Sequence, residues 1–197
     1  MCFYLNHLLH FLRADISPDQ MEPVPLAKIA RDERWLLGEV SSDYLDISFR
    51  ADCSESETIL GDPLFLAAAV KEMLRNADKA VFRRQEKETL EERETCRGGI
   101  ELALSRRGGT AQIKSPHLCL EAQDDGDATV DKAARRRLKE LWDKTLQGAD
   151  YRQTDQLGLI FMNWVARKHG GLIELDSDSG KTVFRLLLPV HPTGKDG

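Results

Sequence analysis

The chain has 197 residues, enough for one sizeable core with a small appendage and too few for two large domains. With 41% hydrophobic and 31% charged residues its composition is globular, which excludes disorder throughout. A formal net charge of -5 excludes the overall basic footprint of a nucleic-acid binder, and the four cysteines, with no C-x-x-C pair, exclude a zinc framework and fit a reducing cytosol.

Leu5, Leu8, Leu9, Leu12 and Ile16 recur at helical spacing and predict an amphipathic helix that ends before Pro18 and Pro23. The stripe is interrupted by His7, His10, Arg13 and Asp15 and follows no basic leader. Neither a targeting segment nor a membrane span is expected. This helix, in residues 1–22, either docks on the domain that follows or pairs with another chain, which would make a homodimer.

The main domain is expected over residues 23–197. Leu26, Ile29, Ala30 and Leu37 predict a short helix, and Tyr44 to Phe49 alternates as a half-buried strand. A second short strand at 58–60 stops at Gly61-Asp62-Pro63. Asp62 before Pro63 is a strong helix start, since a carboxylate accepts from first-turn amides and proline suits the first helical position. That helix should run to about Arg83, followed by a densely charged solvated segment over 85–97.

Gly99 to Ser105 reads as a strand, Arg107-Gly108-Gly109 as a turn, and the run 111–122 as further strand, giving antiparallel pairing. A basic helix is expected from Val130 to Leu146. A strongly apolar one follows from Leu157 to Lys168, closed at His169-Gly170-Gly171, where glycine takes the left-handed cap. A hairpin, Leu172 to Leu175 and Thr182 to Leu188 around a turn at 178–180, ends the domain.

On the helix from Pro63, Leu66, Val70, Met73, Leu74, Ala77 and Val81 form an apolar face, while Glu72, Asn76 and Lys79 share another. In isolation this second set reads as an ordinary solvated Glu–Lys face. For a metal triphosphate it has a chemical logic: an amide oxygen ligates hard Mg2+, an ammonium neutralises phosphate, and a carboxylate orients or deprotonates a nucleophile.

The segment Glu72-Met-Leu-Arg-Asn-Ala-Asp-Lys79 resembles the asparagine box of the histidine-kinase-like ATPases, the GHKL superfamily that includes gyrase and sensor histidine kinases. Two later segments match in order. His117 to Gly126, ending Gln-Asp-Asp-Gly, resembles the aspartate-glycine box, and Leu157-Gly-Leu159 through His169-Gly-Gly171 resembles the second glycine box with its helix and exit. The hairpin around Thr182 is similar to the closing strands.

The resemblance covers roughly residues 23–190 and is closest to the catalytic ATP-binding domain of bacterial sensor histidine kinases. It implies an α+β fold, a two-layer α/β sandwich of the Bergerat type: a mixed sheet covered on one face by helices, with a short N-terminal helix. It also implies a set of roles. Asn76 would bind Mg2+, Lys79 and Gly158 would serve the ATP phosphates from within Leu157-Gly158-Leu159, Asp124 would take the adenine amine with Gly126 turning beneath the base, Thr182 would support Asp124, and Glu72 would activate the acceptor.

The sequence departs from the family pattern in three places. Thr154-Asp155-Gln156 replaces a glycine-rich approach to Leu157, so backbone access to phosphate narrows and Asp155 adds a repelling charge. Ala128 stands where a glycine is usual. The lid offers Leu138, Leu141 and Trp142, with Lys132, Arg135, Arg136, Arg137 and Lys139 as a basic face. Neither His7 nor His10 has the setting of a phosphoacceptor, so the acceptor histidine is expected on another segment or on a partner, such as a response-regulator-like or histidine-bearing protein. The leading expectation is therefore a truncated or divergent kinase catalytic domain of a two-component system. A nonenzymatic signalling module of the same fold and an ATP-hydrolysing relative stand beside it.

Overall fold

The computed structural model describes residues 16, 18–41, 43–89, 97–111, 113–126, 157–178 and 181–192. The expected N-terminal helix, the basic lid helix, the departures at Ala128 and at 154–156, and the turn at 179–180 lie outside them. In chain order the elements are β1 (Glu22–Val24), α1 (Leu26–Val40), β2 (Leu45–Asp52), β3 (Ile59–Gly61), α2 (Pro63–Gln85), β4 (Gly98–Arg107), β5 (His117–Asp124), α3 (Leu157–Lys168), β6 (Leu172–Asp178) and β7 (Lys181–Pro189).

Five strands form one sheet in the order β2-β4-β5-β7-β6. The pair β2–β4 is parallel and the remaining pairs are antiparallel, so the sheet is mixed as expected. Alternation fixes which side faces the helices. Ile100, Leu102 and Leu104 of β4 lie on the buried face with Leu118, Leu120 and Ala122 of β5 and Phe184, Leu186 and Leu188 of β7.

Helix α2 supplies the matching layer. Leu66, Val70, Met73, Leu74, Ala77 and Val81, the predicted apolar face, are all buried, and Phe161, Met162, Val165 and Ala166 of α3 join the same core. Burying these side chains drives the two layers together at roughly 1.5–3 kcal/mol each. Asp62 caps α2 as its sequence suggests, accepting from the amides of Leu64 (2.9 Å) and Phe65 (3.3 Å).

Three expectations are adjusted. The run 111–122 is strand only from His117; residues 108–111 and 113–116 instead lie in a loop in which the Thr110 amide donates to Ile113 O and the Ile113 amide to Thr110 Oγ1, seating Ile113 over Cys119 and Leu187 on the sheet's outer face. Helix α2 continues past Arg83 to Gln85. The segment before α1 contributes β1, which pairs with β3 through Glu22–Gly61 and Val24–Ile59 and forms a small separate ladder. Its three residues are too short a run for periodicity to reveal.

Candidate nucleotide site

Three sequence segments meet along one side of α2. At its middle, Glu72 is only 4% exposed although it is a carboxylate, because the start of α3 packs over it. A Cβ placed on Gly158 would lie 2.5 Å from Glu72 Oε2 and 3.7 Å from Asn76 Nδ2. Gly158 is therefore admitted at this point by its missing side chain, and the glycine box is brought onto the asparagine box. Burial raises the Glu72 pKa above the ordinary carboxylate value, with Arg75 and Lys79 pulling it back.

Asn76 is half-buried, and its Nδ2 is enclosed without a hydrogen-bond partner among the described residues. A buried donor left unsatisfied costs roughly 1–3 kcal/mol. Lys79 stands exposed at the rim, close enough to influence Glu72. Of the glycine box, Leu159 packs partly buried against the hydrophobic core, so its side chain contributes packing. The structure describes Leu157 as the first residue of α3.

One helical turn beyond Asn76, the end of β5 closes on α2. Gly126 sits so tightly on the helix backbone at Ala80 and Val81 that no Cβ fits. Its amide donates to Asp124 Oδ1 at 3.1 Å and fixes the direction of that carboxylate. Asp124 is 4% exposed, and its register partner across β5–β7 is Thr182, which is also buried. Burial pushes the Asp124 carboxyl up to about 6, the Gly126 amide lowering it and the neighbouring Asp125 adding to the rise.

The structure thus brings Glu72, Asn76 and Gly158 together, and separately Asp124, Gly126 and Thr182. Helix α2 joins the groups: from Glu72 to Ala80 it rises about 12 Å, the scale of a nucleoside with its phosphates.

The tertiary roles of three residues escaped the sequence reading. His169 is a strut: its Nδ1–H donates to Val165 O at 2.7 Å, and its Nε2 accepts the Asp62 amide at 3.0 Å, tying the end of α3 to the start of α2. Accepting at Nε2 requires the neutral ring, and burial lowers its pKa, against the Val165 carbonyl and Asp62, which raise it. The following Gly170 has φ +71, its amide bonding Arg167 O while the Gly171 amide reaches Ala166 O, a Schellman end that turns the chain into β6. The other two, Arg84 and Asp125, are paired at 3.0 Å beside the β5 turn. Their spacing in sequence, 41 residues, hides them from local patterns.

The nucleotide-free catalytic domain of the histidine kinase ThkA superposes with a TM-score of 0.62 at 15% identity, covering 86% of this chain and 95% of that one. The chain has the histidine-kinase ATP-binding fold. The mycobacterial sensor histidine kinase MprB gives 0.59 at 20% identity over 87% of this chain and 99% of that one. The ATP-binding domain of PrrB from Mycobacterium tuberculosis gives 0.58 at 17% over 87% and 98%. No protein-family model matches the chain, and no curated protein matches it in sequence. At these identities the histidine-kinase fold is carried by core pattern and topology. Among the described residues no helix is long and apolar enough to cross a membrane.

Proposed function

We propose that this domain binds ATP with Mg2+ and acts as the catalytic domain of a sensor histidine kinase in two-component signalling. It would deliver the γ-phosphoryl group to a histidine outside the described residues. The observation that carries the reading is the buried Asp124, whose carboxylate is aimed by the Gly126 amide and which no protein cation neutralises at hydrogen-bonding distance among the described contacts. Burying a carboxylate this way is unfavourable unless a ligand uses it.

An exocyclic amine donated to Asp124 selects adenine, since guanine presents a carbonyl at that position and leaves two acceptors opposed. Thr182, across the strand pair, supports the same end. The amides at the start of α3, beginning with Leu157 and Gly158, face phosphate with the positive end of the helix dipole. Lys79 adds charge from the rim.

The Asn76 side chain suits a hard cation because its amide offers an oxygen donor. Bound Mg2+ would neutralise charge on the β- and γ-phosphates. Glu72, buried beside Gly158 with a raised pKa, would take a proton from the attacking nucleophile. The same placement favours a second reading in which that nucleophile is water and the domain hydrolyses ATP. A protein of this fold that binds no nucleotide is the nonenzymatic alternative.

Titration of Mg-ATP against the purified chain, with Asn76→Ala and Asp124→Ala alongside, tests the proposal. Saturable binding lost in both variants supports it, and phosphotransfer to a histidine-bearing partner distinguishes kinase from hydrolase. Absence of saturable binding leaves only the nonenzymatic module.

A further inference from the structure

Resting on the nucleotide reading above, we infer that Arg84 is a positioning residue for base recognition: it clamps the Asp124-Asp125-Gly126 turn to α2 and so sets where the Asp124 carboxylate points.

The turn is held on one side by β4. It follows the last residue of β5, and Asp125 lies one step beyond the end of the β4–β5 ladder. Asp125 extends that ladder by itself. Its amide donates to Gly99 O at 3.2 Å, and its Oδ1 accepts the Gly99 amide at 2.9 Å.

Arg84 closes the other side. Its Nη1 donates to Asp125 O at 2.7 Å and lies 3.0 Å from Asp125 Oδ2, while its Nε lies 3.1 Å from Glu88 Oε1, one turn further along the chain. A single nitrogen of the guanidinium, Nη1, therefore meets both the backbone and the side chain of Asp125, a contact that a lysine ammonium can largely reproduce.

Arg84 and Ala80 are four residues apart on α2 and present the same face. Ala80 forms the floor on which Gly126 rests, and Arg84 is the latch beside it. With the floor and latch fixed, the Gly126 amide is fixed, and through it Asp124 Oδ1. Arg84 also compensates the charge of Asp125, which stands next to Asp124 and opposes its ionisation. The continuation of α2 past Arg83 thus carries the latch, and the helix end has a function beyond packing.

The test compares binding of ADP with that of purine riboside 5′-diphosphate, which lacks the exocyclic amine. A buried charged acceptor gives the wild-type chain a preference for ADP of about 10- to 100-fold. Arg84→Met is expected to reduce that preference about tenfold, with the affinity for the desamino nucleotide nearly unchanged. Arg84→Lys should restore most of it. A purely structural role would lower both affinities together and leave their ratio intact.

If Arg84→Met does not fold, by circular dichroism and a cooperative melt, Arg84→Gln carries the same comparison with the charge removed. An unchanged ratio in the folded neutral variant overturns the latch while leaving nucleotide binding in place. Failure of the wild-type chain to bind ADP at all removes the nucleotide reading and the latch with it.

Discussion

Asp124→Asn should make the protein more stable and less able to hold adenine. The carboxyl sits at about 6 in the folded chain, against an ordinary 3.8. Its folded value is raised, so the proton is held more tightly in the native state. The linkage sign follows: stability conferred by the protonated form is complete below about 3.8, declines as pH rises, and is lost above about 6. Two pKa units correspond to about 3 kcal/mol at most. Asparagine keeps an oxygen to accept the Gly126 amide while discarding the charge, so a gain of about 1–3 kcal/mol is expected at pH 8. For a chain of this length that is a rise in Tm of roughly 2–12 °C. Thermal melts of wild type and variant at pH 8 and pH 4.5 read it directly, with ADP titration at pH 8 showing the loss of adenine binding. The reasoning is refuted if the variant is no more stable at pH 8, or if its advantage is as large at pH 4.5.

The remaining expectations concern the rest of the framework. Asn76→Ala removes an amide whose Nδ2 already lacks a partner among the described residues, so it should cost under about 1 kcal/mol in a chemical denaturation experiment while abolishing Mg-dependent nucleotide binding. Glu72→Gln should leave Mg-ATP affinity within a few-fold of wild type and reduce turnover about 100-fold or more, read in single-turnover assays. His169→Ala breaks two buried hydrogen bonds and leaves the Asp62 amide unpaired, for a loss of about 2–4 kcal/mol. Because burial lowers the His169 pKa, its stabilisation is present above the ordinary value of 6.5 and is lost as pH falls through the folded one; urea unfolding between pH 7 and pH 5 should show this decline in wild type and a flatter profile in the variant.

Much of the fold was legible in one dimension because its signals are local. The alternation in β4, the i, i+4 apolar face of α2, the Asp62-Pro63 start and the Gly170 exit each depend on a few adjacent residues, and all four appear in the structure. The ordered boxes were legible for the same reason. The adjacency of Gly158 to Glu72, by contrast, joins positions 86 residues apart, and only the docking of α3 on α2 creates it.

What the sequence determined by itself was the set of chemical groups and the faces they occupy: Glu72, Asn76 and Lys79 along one helix, Asp124 before Gly126 at a strand end, Thr182 in the last hairpin. The tertiary structure decided how those groups behave. It buried Glu72 and Asp124 and so raised their pKa values, turned His169 from part of an exit motif into a strut between two helices, and recruited Arg84 to Asp125. The physical reason is that desolvation and pairing depend on what packs against a side chain, and packing partners are supplied by distant segments that share no local pattern.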